Sequence, residues 1–197
     1  MDYPQYAKIE DRKYKINTDF RVAIKCNEIA QDENINDRER ALAIIYMLFG
    51  EKGLDSIEDH QRLLELGQKF LLCGKELEKQ SSQPDMDYIE DMDYIEASFM
   101  SDYKIDLEDT KMHWYKFNKL MNGLSNSDLG DCCILNRVRN LRNFNLSEIK
   151  NPKEKAKIRK AKEQVALKKN KNKKVANDNQ LESAIKLYKE LGLFERE

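Results

Sequence analysis

The sequence predicts a mainly α protein: a compact multi-helix domain with a small N-terminal β-hairpin and a basic C-terminal helical extension. Three observations carry this reading. Apolar residues recur with the helical period through most of the chain. Capping residues stand just ahead of several of those stretches. Hydrophobic residues make up 40% of the 197 and charged ones 36%, enough for one sizeable core with little apolar material to spare.

Residues 6–16, YAKIEDRKYKI, alternate loosely about Glu10-Asp11, the pattern of a short hairpin that must lie on helices to persist. Thr18 or Asp19 is placed to cap a first helix to about Ala30, with Val22, Ala23, Cys26, Ile29 and Ala30 inward. Asp37 caps a second. Its centre, Ala41 to Phe49, is apolar nearly all round, as in a helix central to a core, and Gly50 and Gly53 end it. A third runs from Ser56 or Asp59 to Leu77 on the stripe Leu63, Leu66, Phe70, Cys73 and Leu77. Gly67 and Gly74 within it either cost helix stability or admit a close neighbour. Lys79 to Asp85 reads as a linker.

The tandem hexapeptide DMDYIE-DMDYIE, residues 85–96, is too short for a solenoid. Its first copy reads as loop and its second as the entry to a helix ending near Phe99 or Tyr103. The doubled acids lack the glycine and terminal Glu of a calcium loop and read as a solvated face. Asp106 is expected to cap a helix from Leu107, whose broad apolar face holds Met112, Trp114, Tyr115, Phe117, Leu120, Met121 and Leu124. Ser125 or Ser127 opens the next, with Leu129, Cys132, Ile134, Leu135, Val138 and Leu141 inward and Arg137, Arg139 and Arg142 outward. Lys150 to Lys174 then carries twelve Lys/Arg, two Glu and no aromatic residue. A helix from Pro152 presents Lys155, Arg159 and Lys162 as basic surface, a flexible stretch follows near 168–179, and an amphipathic helix with Tyr188 on its apolar side runs from about Asn179 to Phe194. The chain so divides into a helical core, 1–145, and a basic extension, 146–197.

Chemistry is sparse. His60 and His113 have no nucleophile or convergent carboxylates beside them and read as hydrogen-bonded helix residues. Cys26, Cys73, Cys132 and Cys133 fit neither a zinc site nor a disulfide framework and read as free thiols of a reducing compartment. No catalytic residue, metal or cofactor is expected. The opening residues lack the apolar core of a signal peptide, and no stretch has the apolar length of a membrane span, so the expected place of action is the cytoplasm. Residues 1–110 hold 26 acids and 14 bases, a net of −12; residues 111–197 hold 10 and 21, a net of +11. Such fields either neutralise each other within a fold or steer association, including head-to-tail self-association. The alternative to a protein partner is nucleic acid, bound through the Lys-rich 150–174 segment. Against it stand the absence of interleaved aromatics and of any recognition-helix signature.

One combination of residues goes further. Ile95, Ala97 and Phe99, then Tyr103, Ile105, Asp106 and Leu107, then His113, Trp114 and Phe117, then Gly123 and Leu124, with Arg137 beyond, stand in an order that resembles the tail assembly chaperones of long-tailed phages and prophages of Gram-positive bacteria. YKINTDFRVAIK, from Tyr14, is similar to the opening of that family, and Tyr115 stands where a second Trp is usual. The resemblance implies a chaperone that binds the tape-measure protein, keeps it soluble and helps recruit tail-tube subunits in the host bacterial cytoplasm. Such a protein is not retained in the mature virion. On this reading Tyr14, Phe20, Phe99, Tyr103, Trp114, Phe117 and Leu124 are core. Met112, Tyr115, Met121 and Tyr188 are protein-binding candidates, and Arg137 either pairs with an acid of 91–109 or is a surface Arg without a role.

Overall fold

The computed structural model describes residues 2–76, 84–126 and 132–168 of the chain, a mainly α fold of seven helices and one hairpin. These residues form two compact units: 2–76 with 111–119, and 84–110 with 120–126 and 132–168.

The first unit opens with the antiparallel strands β1 (Tyr6–Ile9) and β2 (Arg12–Lys15). Glu10 takes φ 52 in the two-residue turn, and alternation buries Ala7, Ile9 and Tyr14 on one face. Asp59 fastens this ribbon: Tyr14 Oη donates to its Oδ2 at 2.5 Å and Arg12 Nη2 to its Oδ1 at 2.8 Å. Burial, and then the bond to Asp59, push the Tyr14 hydroxyl above the usual tyrosine range.

Helix α1 (Phe20–Gln31) is capped by Asp19, whose carboxylate accepts from Arg21 N at 2.9 Å. Helix α2 (Asp37–Asp55) is capped by Asn36 rather than Asp37, because Asn36 and Glu39 close a reciprocal capping box. The expected stop at Gly50 is a kink instead. Gly50 turns the chain at φ 68, ψ −163, and helix resumes to Asp55. Helix α3 (His60–Leu71) ends six residues short of Leu77, where Cys73 (φ 54) and Gly74 (φ 75) leave the helical region. Gly67 brings α3 against α2, since a Cβ there would sit 3.0 Å from Leu48 Cδ1. The first turns of α5 (Trp114–Asn122) complete this core. Trp114 Nε1 donates to Leu71 O at 2.9 Å, and Phe117 stacks on Phe20 with ring centroids 4.6 Å apart.

The aromatic helix therefore starts at Trp114 and not at Leu107. Asp106 caps no helix: its carboxylate accepts from Glu108 N at 2.9 Å and closes an isolated turn over 107–109. The residues that follow are taken by non-local partners. Phe20 N donates to Met112 O at 3.0 Å and Trp114 N to Thr18 O at 2.7 Å. Backbone groups committed to those bonds have none left for a helical ladder.

In the second unit α4 (Met92–Tyr103) packs on α6 (Ile134–Asn143), and α6 on α7 (Pro152–Val165). Buried Ser98 stitches α4 to the start of α6, accepting from Leu135 N at 3.1 Å while donating to Tyr94 O at 2.6 Å. Helix α6 begins at Ile134, capped by the Cys133 thiol, and not at Ser125; the other candidate start, Ser127, lies with 128–131 outside the described residues. Asn151 caps α7 with Pro152 in its first turn. Most of the 79–85 linker, the stretch beyond Lys168 and the last amphipathic segment with Tyr188 also lie outside the described residues.

Candidate functional site

The first unit carries an open cleft. Its walls are the hairpin end (Gln5, Lys15, Ile16), the approach to α1 (17–19), the kinked part of α2 (46–51) and the extended segment 111–113. The kink makes it: Leu48 O accepts from Asn17 N at 2.7 Å, anchoring one wall, and the Cα of Gly50 faces space with nothing within 4 Å of a Cβ built there. Leu48, Phe49 and Met112 are buried along its floor, Tyr46 is 50% exposed, and Lys15, Lys111, Asp19 and Glu51 mix both charges among the lining residues. An apolar floor under mixed charge suits a peptide surface held by shape and apolar contact. Among the described residues no group of three or more His, Cys, Asp or Glu stands ready for a metal ion.

The sequence-derived candidates are dispersed. Met112 lines the cleft with 4% of its surface exposed. Tyr115 lies elsewhere in the same unit, half-buried, its ring stacked on Phe70 at 5.5 Å and edge-on to Tyr3 at 5.9 Å. Burial raises its hydroxyl above the usual tyrosine range, and burial likewise pushes the nearby Cys73 thiol up to about 11. Met121 belongs to the second unit and is half-buried. Phe99, Trp114, Phe117 and Leu124 are buried, while Tyr103 is half-buried with its hydroxyl donating to Leu120 O at 2.8 Å. Of the basic surface, Arg159 is exposed; Lys155 and Lys162 are half-buried, and Lys162 Nζ donates to Phe144 O.

The acidic tandem is not a solvated face. Asp91, the first residue of its second copy, is 0% exposed and receives both Arg142 Nη2 and Nη1 at 2.7 Å. Asp85, at the same position of the first copy, offers its carbonyl to Arg142 at 2.9 Å and its carboxylate to Asn143 at 2.9 Å. Arg142 Nε also donates to Val165 O at 2.6 Å, and Glu90 accepts from Lys168 N at 2.7 Å. Arg142, not the exposed Arg137, thus meets the acidic segment and ties it to the end of α7. The sequence placed Arg137, Arg139 and Arg142 on one polar side; nothing in their spacing marked which one the fold would bury.

Folding also redistributes charge. The described part of the first unit holds 15 acids and 15 bases; that of the second holds 13 and 12. Among the described residues, acids of the front half and bases of the rear half are thus mixed within each unit.

A family model described as Bacteriophage Gp15 protein matches residues 2–167. No curated protein and no solved structure matches the chain.

Proposed function

The chain belongs to the bacteriophage Gp15 protein family, a tail-assembly-chaperone family of phages, and from that premise we propose that it binds the tape-measure protein, keeps it soluble and helps recruit tail-tube subunits. The family match carries this reading, because it runs through both units and nearly to the end of the described chain. A chaperone for a long apolar substrate needs many replaceable contacts more than one tight site. The cleft beside α2 supplies a contact of that kind, and Tyr46, its most exposed large apolar residue, is the anchor we assign to it. The role is exercised in the host cytoplasm and ends before the virion is complete. No helix among the described residues is long and apolar enough to cross a membrane.

Co-expression with the long helical protein encoded alongside tests this. The expected result is a soluble, co-purifying partner that is lost with Tyr46→Arg, a change at an exposed position that leaves the fold intact. Truncation after Lys168 asks separately whether the segment with Tyr188 contributes. A partner that stays insoluble, with the chain retaining salt-sensitive nucleic acid, supports the alternative reading through the exposed lysines of α7.

A further inference from the structure

We propose that His113 is a pH-sensitive latch, which in its neutral form both caps α5 and holds residues 2–5 as a strap against the aromatic surface of Tyr115 and Phe70. The partners fix its protonation state. The Tyr115 backbone N–H can only donate, and it lies 3.1 Å from Nδ1; the Pro4 carbonyl can only accept, and it lies 3.0 Å from Nε2. The ring is therefore neutral with its proton on Nε2. It is also the centre of an aromatic group: Tyr3 stacks on it at 4.9 Å, Tyr115 meets it edge-on at 5.4 Å and Phe70 at 5.8 Å. Tyr3 reaches Tyr115 as well, so the strap covers part of that ring. Beyond Gln5 the chain is tied into the hairpin by Ile16 N to Gln5 O at 2.9 Å; ahead of it the Pro4–His113 bond and the Tyr3 stack are what hold the strap.

Protonation removes the one acceptor the cap requires. An imidazolium carries N–H on both nitrogens, so Nδ1–H then opposes the Tyr115 N–H, and a positive charge sits at the positive end of α5. Turning the ring to escape that contact takes Nε2 off Pro4 O and breaks the stack with Tyr3. The other charged and titratable groups around the ring do not restore the acceptor. Asp19, paired to His113 through the backbone, has its carboxylate engaged by Arg21; Lys111 lies on the same segment as His113; Tyr3 and Tyr115 contribute rings; on α3 and its end, Lys69 and Cys73 lie to either side of Phe70.

Two measurements on the full chain between pH 7.5 and pH 5 test the latch. Amide exchange of Tyr115, corrected for the intrinsic pH dependence, should show protection falling about fivefold or more on acidification. Binding of an apolar fluorescent dye should rise over the same range. His113→Asn, whose carbonyl caps without titrating, should abolish the pH dependence of both. Tyr3→Ala should raise dye binding already at pH 7.5 while leaving Tyr115 protected. Protection that does not change with pH, or that changes equally in His113→Asn, overturns the proposal.

Discussion

Gly50 stands at φ 68, ψ −163, a region essentially confined to glycine. A methyl group there has room, so the cost of Gly50→Ala is backbone strain alone, about 1–3 kcal/mol. Urea unfolding should show it as a lower midpoint at unchanged slope. Asp102 carries the pH signature at this scale. Partial burial pushes its carboxyl up, but hydrogen bonds from Ser125 N and Ser101 Oγ more than reverse this and leave it below the usual aspartate value. A depressed carboxylate stabilises the fold above its unfolded pKa of about 3.9 and loses that contribution as pH falls through the folded value. Asp102→Asn should therefore lower the melting temperature at pH 7 and flatten the acid loss seen in the wild type below about pH 4.

Between elements, the decisive contact in the second unit is Asp91 with Arg142. Both groups are largely out of water, so removing one strands the other. Arg142→Ala should cost about 3–5 kcal/mol, whereas Arg137→Ala, at an exposed position on the same helix, should stay within about 0.5 kcal/mol. Replacing the pair together by Asp91→Leu and Arg142→Met should recover most of the loss. Chemical denaturation of the three proteins checks all three statements. The same contact explains the tandem hexapeptide. Its copies are identical in sequence yet unequal in place: Ile95 is 0% exposed on α4 while Ile89 is 47% exposed ahead of it. A helix can repeat an environment only if both copies are helical, and the first is not.

At the scale of the whole molecule, the described part of each unit is close to neutral, and this bears on assembly. Head-to-tail association driven by opposed halves requires that those halves remain apart in space, and the acidic 85–109 segment instead folds with the basic rear. Sedimentation at about 100 µM should give the same oligomeric state at 50 mM and 1 M salt, since a screened surface attraction would weaken across that range. A salt-dependent shift would restore the steering argument.

Much of this fold was legible in the chain because local rules and tertiary demands agree there. The hairpin turn at Glu10-Asp11, the cap at Asp19 (one of two candidates), the helix start at Pro152, and the buried Phe99, Trp114, Phe117 and Leu124 all follow from periodicity and turn chemistry. The ordered set of motif residues resembled the family that the match over 2–167 shows. What sequence left undecided depended on non-local partners. Residues 107–113 have helical composition, but backbone bonds to Thr18 and Phe20 hold their end extended, so Asp106 closes a turn and His113 becomes the cap. Whether α2 stopped or bent at Gly50, which arginine was buried, and whether the opposed charges met were likewise set by contacts some 30 to 60 residues apart in the chain, such as Asn17 with Leu48 and Asp91 with Arg142. Periodicity records which face of an element is apolar; only the packed structure determines what that face, and the polar groups beside it, will meet.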